Sequence, residues 1–289
     1  MSLGLAKTKR RITTVKNTEK ITKSMELIAT VKIKRFKNES NKESLYTREF
    51  ESLMGELFAH DSETGTHYGR ANEGDLPSLF IVISSDLGLC GGYNNEIFKF
   101  VSRVAKPTDV IVPLGGKALH HFAHDPVYTN INHDFESLTL ASLDFAEVHR
   151  LSAKLKDDFN AKKYARIYIL FTRYVNSITF APTRFQLLPV QIKHQAWEHE
   201  EYCPPLFDAS ARQLIHALLP SYLASVFYDR LIDSELSEQA SRRTAMDNAN
   251  DNADRLLTNL TIQYNKARQN AITQEITEVV SGAGENHSH

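Results

Sequence analysis

The chain predicts a mixed α+β and α/β fold: a long antiparallel two-helix coiled coil from its terminal segments, with a Rossmann-like α/β domain inserted between them. Three observations carry this. From Ser221 to Ser281 there is no glycine and no proline, roughly 60 residues without a helix breaker, against an average globular helix of about 11 to 12. Between Gly4 and Gly55 the same absence recurs. The middle is instead punctuated by Gly69, Gly74, Pro77, Gly88, Gly91, Gly92, Pro107, Pro113, Gly115 and Gly116, with short β-rich runs between them. A helix of about 60 residues runs on the order of 90 Å, so it must leave its own core and be covered by another element. The expected boundaries are 1–58 for the first helix, 76–195 for the inserted domain, 208–282 for the last helix and 283–289 for a disordered tail.

In the first helix the apolar positions are Leu5, Ile12, Val15, Ile21, Met25, Ile28 and Val31. Their spacing makes a narrow stripe, closer to a coiled-coil seam than to a broad core face. Threonine and lysine fill much of the remaining surface, so the helix needs a partner helix to be stable.

In the insert, the apolar runs Leu79–Ile83 and Asp109–Leu114 predict buried strands. Val127–Ile131 predicts a weaker third, Arg166–Phe171 a fourth and Phe185–Ile192 a fifth. Helices are predicted at Asn94–Val104, Lys117–Phe122 and Leu140–Phe159. This alternation argues for a layered sheet with mainly parallel strands. After Cys203-Pro204-Pro205 the second long helix starts near Ser210, with a kink or restart at Pro220. Its apolar face is Leu214, Leu218, Tyr222, Val226 and Leu231. Ala240, Ala245, Ala249 and Ala253 then offer a small-residue seam where two helix axes can approach closely.

A hydrophobic content of 42%, a charged content of 24% and a net charge of -1 fit an ordinary soluble chain and give no global argument for nucleic acid. Basic residues crowd between Lys7 and Lys37, opposed only by Glu19 and Glu26. Such a helix prefers an acidic partner. It has no aromatic residue before Phe36, which speaks against nucleic-acid binding. Cys90 and Cys203 form no disulfide framework. No apolar run approaches the length of about 18 residues that a membrane span needs. The basic N-terminus lacks an apolar signal core, and no targeting segment is expected.

Several residue sets admit chemistry. Ser84–Gly92 lies between a strand and a helix, where phosphates bind in doubly wound folds, yet it matches neither common phosphate-loop pattern. The other reading is a tight turn that needs glycine for its backbone. Cys90 would be a nucleophile at a helix N-terminus, with His120, His121, His124 or His133 as base or metal ligand, or else a buried small thiol beside a solvated His-rich helix end. Asp157 and Asp158 are adjacent, point to different sides of a helix and read as a solvated face. Arg268, Gln269, Thr273 and Glu275 are polar on several sides of the last helix. They read as a solvated end or as a helix surrounded by a partner.

Three blocks resemble the gamma subunit of F-type ATP synthases: Thr18–Leu27, Ser84–Asn94, and Tyr264–Gln269 continuing through Ile272–Ala283. Ser237–Ala240 followed by Ala245-Met246 is a looser fourth match. The resemblance implies a central rotating shaft that couples ion flow through a membrane ring to conformational cycling of a catalytic ring of alpha and beta subunits. It implies no catalytic residue, cofactor or metal. The implied partners are the alpha and beta subunits, the epsilon subunit and the membrane c-ring, with no direct membrane insertion. The implied location is peripheral, on the cytoplasmic face of a bacterial cell membrane. By motif position Lys23, Met25, Arg268, Gln269, Thr273 and Glu275 would contact beta subunits. Tyr202, Pro204 and Pro205 would lie near the epsilon and c-ring contact. Asp86, Gly88, Cys90, Gly91, Gly92 and Asn94 form the family's signature loop.

Thr244 and Asp247 depart from the common family text, which has a hydrophobic residue and a lysine there. They motivate an alternative: the equivalent shaft of a divergent F-type-like ATPase not used for ATP synthesis. A more remote alternative is an α/β enzyme with helical dimerisation arms.

Overall fold

A computed structural model describes residues 3–61, 67–132, 139–140, 143–176, 179–191 and 208–285. The elements are α1 (Leu3–His60), β1 (Leu79–Ile83), α2 (Tyr93–Val104), β2 (Val110–Leu114), α3 (Gly116–Phe122), α4 (Phe145–Asn160), β3 (Ile167–Tyr174), β4 (Phe180–Leu188) and α5 (Ala211–Glu285). They fall into two units, one of residues 30–242 and one formed by residues 1–29 with 243–289.

The larger unit is organised by a sheet of order β2-β1-β3-β4. β1 runs parallel to β2 and β3, and β4 closes the sheet antiparallel to β3. All five residues of β1 are buried, as expected for a central strand covered on both faces. Side chains alternate between faces with a period of two. Phe80, Val82, Ile111 and Leu170 meet Ile97 and Val101 of α2 and Ala118 and Phe122 of α3. Ile81, Ile83, Val112, Leu114 and Ile169 share the larger core with Met54 and Leu57 of α1, Leu151 and Leu155 of α4, and Leu219, Leu223 and Phe227 of α5. The long helices therefore contribute one cover of the sheet. Here they also meet through polar pairs: Thr47 with Ser225 at 2.7 Å, Ser44 donating to Asp229 at 2.9 Å, and the Tyr228 hydroxyl donating to Glu39 at 3.1 Å.

Element ends follow local chemistry. α4 starts at Phe145 rather than Leu140 because Asp144 caps it, its carboxylate accepting from the Glu147 amide at 2.8 Å. Ser210 caps α5 through the Gln213 amide at 3.3 Å. Pro220 sits inside α5 without ending it. Leu219, Tyr222 and Leu223 are all buried there, and this packing holds the helix where proline removes a backbone donor. Gly55 likewise lies within α1. The expected strand at Val127–Ile131 is reduced to a single bridge, Ile131 to Ile111. β3 runs on to Tyr174, and β4 occupies Phe180–Leu188 instead of Phe185–Ile192. Most of β4 is half-buried, as an edge strand is, so it has no continuous apolar run to announce it. α5 continues to Glu285, past the expected start of a disordered tail at residue 283. Residues 286–289 lie outside the described residues.

In the smaller unit α1 and α5 pair along a narrow seam. The covered or half-covered residues of α1 are Leu5, Thr8, Ile12, Val15, Glu19, Thr22, Met25, Glu26 and Ala29. Those of α5 include Met246, Ala249, Asn250, Ala253, Leu257, Leu260 and Tyr264. The steps of three and four are those of a heptad. This corrects the expected stripe: Ile21, Ile28 and Val31 are 60%, 56% and 63% exposed. Glu19, Thr22 and Glu26 occupy the seam instead. The Thr22 hydroxyl bonds the Asn250 amide oxygen, and the Asn250 nitrogen donates to Glu26 at 2.7 Å. Ile21 lies about 100° around the helix from Thr22, so it cannot share that seam. Exposed threonines close on their own helix: Thr13 donates to the Lys9 carbonyl at 3.2 Å and Thr18 to that of Thr14 at 3.1 Å.

Candidate functional site

The loop from Ser84 to Gly92 leaves β1 and enters α2. Its first residues are consumed by the start of α3. The Ser84 hydroxyl accepts from the Ala118 amide at 2.7 Å, and Asp86 accepts from the Gly116 amide at 3.1 Å. Asn94 then ties the loop together. Its Oδ1 accepts from the Ser85 amide at 3.0 Å, and its Nδ2 donates to the Ser85 hydroxyl at 2.7 Å and to the Cys90 sulfur at 3.3 Å. Gly91 has φ +57 and Leu89 φ +62, which turn the chain sharply into α2.

Three carbonyls of this loop face α5. Arg242 Nη2 donates to the carbonyls of Leu87 and Gly88, each at 3.3 Å, and the Ser241 hydroxyl donates to that of Cys90 at 2.8 Å. A phosphate site needs amide hydrogens directed at the anion. The groups engaged here are instead carbonyls, and they fasten the loop to α5. Leu89 is exposed, and an L-residue in the left-handed region carries strain. Leu89→Gly is therefore expected to stabilise the chain by about 0.5–1 kcal/mol, read as a higher denaturant midpoint at unchanged m-value. An unchanged or lower midpoint would count against strain at this position.

Cys90 is 2% exposed. Its sulfur contacts Ser85, Asn94 and the Leu87 carbonyl, so the histidines are not its partners. His121 stacks on Phe98 with ring centroids 4.2 Å apart, and His124 Nδ1 meets the His120 carbonyl at 3.1 Å. His133 lies outside the described residues. Among the described residues no group of three His, Cys, Asp or Glu side chains can hold a metal ion. Asp158 is buried and paired with Lys163 at 2.6 Å, while Asp157 pairs with Lys156 at 3.2 Å. The solvated face expected for both holds only for Asp157, because Asp158 belongs to the packed side of α4.

The part of α5 behind the loop is unusually polar for a buried helix. The Tyr93 hydroxyl meets Ser234 at 2.8 Å, and the Tyr174 amide donates to Asp233 at 3.1 Å. Glu238 and Arg242 are both buried and joined at 2.6 Å. Burial, with Glu238 nearby, pushes the Glu235 carboxyl up to about 7. Burial also lifts Asp233 to about 6, opposed by the Tyr174 amide. The folded chain thus holds protons that the unfolded chain releases. The stability tied to the Glu235 proton is fully present below about pH 4.5 and is lost as pH rises to about 7. Glu235→Gln is expected to remove about 2 kcal/mol of that dependence, measured by urea unfolding at pH 5 and pH 7.5. Parallel pH profiles for the two proteins would contradict this.

The remaining residues of interest lie in the smaller unit. Lys23 is exposed and paired with Glu19, which raises the lysine's pKa. Met25 is half-buried at the seam. Arg268, Gln269, Thr273 and Glu275 are all exposed on α5, with Thr273 donating to the Gln269 carbonyl at 3.0 Å. Among the described residues no hydrogen bond or ion pair joins these side chains to another element, and Lys23 pairs with Glu19 on its own helix. Tyr202, Pro204 and Pro205 lie outside the described residues. Glu238, Ser241 and Arg242 escaped sequence reasoning as a site. The spacing of Glu238 and Arg242 was their one signal.

These features define a class: a mixed-sheet α/β domain inserted in the sequence between two long terminal helices that pair along a narrow seam, with a glycine loop fastened to the last helix. The ATP synthase family model matches residues 4–284. The chain belongs to the ATP synthase gamma chain family. It is similar to the ATP synthase gamma chain of Mesoplasma florum, 33% identical over 282 residues and covering 97% of this chain and 98% of that one. It is also similar to the gamma chain of Mycoplasmopsis pulmonis, 34% identical over 288 residues with 98% and 99% covered. A chain of the Euglena gracilis mitochondrial ATP synthase (OSCP/F1/c-ring, rotational state 3) shares the fold, with a TM-score of 0.65 at 17% identity, 99% of this chain and 95% of that chain being covered.

Proposed function

We propose that this chain is the central rotating shaft of an F-type ATP synthase, coupling ion flow through a membrane ring to conformational cycling of a catalytic alpha/beta ring. The observation that carries the proposal is the match to gamma chains along almost the whole chain, at both terminal helices as well as in the loop. The physics of the terminal helices supports it. A coiled coil with a narrow seam is a continuous two-helix rod, and its outer surface mixes polar residues with exposed Ile21, Leu27, Ile28, Ile262, Ile272 and Ile276. Exposed Arg268, Gln269, Thr273 and Glu275 suit hydrogen bonds from several directions. Lys23 and Met25 suit a beta-subunit lever, since basic α1 attracts acidic partners over long range. The segment holding Tyr202, Pro204 and Pro205 is assigned to the epsilon and c-ring contact.

In this reading the chain carries no catalytic residue and binds no cofactor. It sits peripherally on the cytoplasmic face of a bacterial membrane. No helix among the described residues is long and apolar enough to cross a membrane. A second reading keeps the shaft but places it in a divergent F-type-like ATPase, favoured by exposed Thr244 and Asp247 on α5.

The test is reconstitution. The isolated chain is expected to show no ATPase activity, to co-purify with alpha and beta subunits, and to restore ion pumping to membranes lacking a gamma chain. Alpha and beta subunits that neither bind the chain nor change activity with it would end the proposal. ATP synthesis under an imposed ion gradient separates the two readings.

A further inference from the structure

The contacts of Arg242 reach beyond the assignment of a shaft. Arg242 is buried on α5 together with Glu238, and its guanidinium is divided between two tasks. Nη1 meets Glu238 at 2.6 Å, and Nη2 donates to the carbonyls of Leu87 and Gly88 at 3.3 Å each. A buried guanidinium requires both charge balance and acceptors for its hydrogens, and its planar fork spans acceptors set apart on two sides, which a compact ammonium reaches less well. The loop it grips is otherwise open on its outer side: Leu87 is 73% and Leu89 63% exposed. Asn94 and Ser85 hold the loop to itself and to α2. Arg242 and Ser241 hold it to α5.

We propose that Arg242 is a positioning residue: its guanidinium, balanced by Glu238, clasps the carbonyls of Leu87 and Gly88, so that the loop and its exposed leucines move with α5 as one body. The clasp itself follows from geometry. Its consequence for coupling rests on the shaft reading above. Torque arriving along α5 reaches the loop through charge-assisted hydrogen bonds, which hold direction, rather than through apolar contact, which slides. Ser241 on the Cys90 carbonyl adds a second grip one residue earlier on the helix.

Two measurements decide this. Hydrogen exchange by mass spectrometry on the full chain is expected to show peptides covering 84–94 exchanging about tenfold faster in Arg242→Gln, with peptides of β3 unchanged. Arg242→Lys, which keeps the ion pair but reaches fewer carbonyls, is expected to show a smaller increase, and it carries the test if Arg242→Gln fails to fold. In the assembled complex on membranes, the ratio of ions pumped to ATP hydrolysed is expected to fall by about half in Arg242→Gln and to recover in part in Arg242→Lys. Unchanged loop exchange in both variants overturns the clasp. Faster exchange with an unchanged pumping ratio overturns the positioning role. If the parent chain supports no pumping, the shaft reading fails, and loop exchange still decides the clasp.

Discussion

Replacing Gly115 with alanine is expected to destabilise the chain by about 4 kcal/mol and to lower its melting temperature by roughly 10 °C. Gly115 joins β2 to α3 with φ +94, a conformation that side chains rarely adopt. A Cβ there would sit 2.3 Å from the Ser84 carbonyl oxygen. The obstacle is backbone, so no rotamer relieves it. The chain must move one of two central segments, and the bonds that organise the loop go with it: Ala118 to Ser84, Lys117 to the Ser85 carbonyl at 3.0 Å, and Gly116 to Asp86. Gly92 is the internal control, because a Cβ there meets nothing within 4 Å. Gly92→Ala is expected to stay within about 0.5 kcal/mol of the parent. A melting shift below about 2 °C for Gly115→Ala would show that the turn can relax.

Phe227→Ala is expected to cost a similar amount, about 4 kcal/mol. Phe227 is fully buried where α5 crosses the sheet. It lines a small apolar void with Ile81, Val112, Leu114, Leu151 and Leu155. Truncation joins the lost ring volume to that void, and strands on one side and α4 on the other limit collapse. An apolar cavity of that kind stays dry and accepts small apolar solutes. Benzene is therefore expected to raise the melting temperature of the variant and not of the parent. A loss near 1 kcal/mol without benzene binding would mean that α5 closes the gap by shifting. Phe227→Leu keeps most of the volume and is expected to cost no more than about 1.5 kcal/mol.

Much of the architecture was legible in the residues. Long stretches without glycine or proline announce α1 and α5, because those residues are the ones that locally prevent helix. Unbroken apolar runs announce β1 and β2, because a strand covered on both faces has no polar side. β4 was misplaced because an edge strand shows neither run nor strict alternation. The place of the loop Ser84–Gly92 between strand and helix was legible from its text. Its polarity was not: whether Leu87 and Gly88 offer amides or carbonyls depends on backbone direction, which the positive φ at Leu89 and Gly91 sets.

At the seam, packing overrides the apolar pattern. Counting apolar residues favours Ile21, Ile28 and Val31. The partner helix favours Glu19, Thr22 and Glu26, which stand on the line from Leu5 and Val15 to Ala29. A helix carries several candidate stripes about 100° apart, and hydrophobicity alone chooses the greasiest. Which stripe is covered is settled where the second helix approaches, and there Asn250 supplies the hydrogen bonds that make Thr22 and Glu26 acceptable. The rejected isoleucines remain on the outer surface, available to a surrounding ring.

Sequence by itself determined the two long terminal helices, the parallel core of the sheet and the family, because these follow from local backbone preference and from text that survives in linear order. Tertiary structure alone decided which helical stripe is buried, that Arg242 grips the loop, and that Glu235 and Asp233 hold their protons toward neutrality. Those outcomes depend on burial and on the direction of hydrogen bonds between residues far apart in the chain, quantities that arise only once the elements have packed.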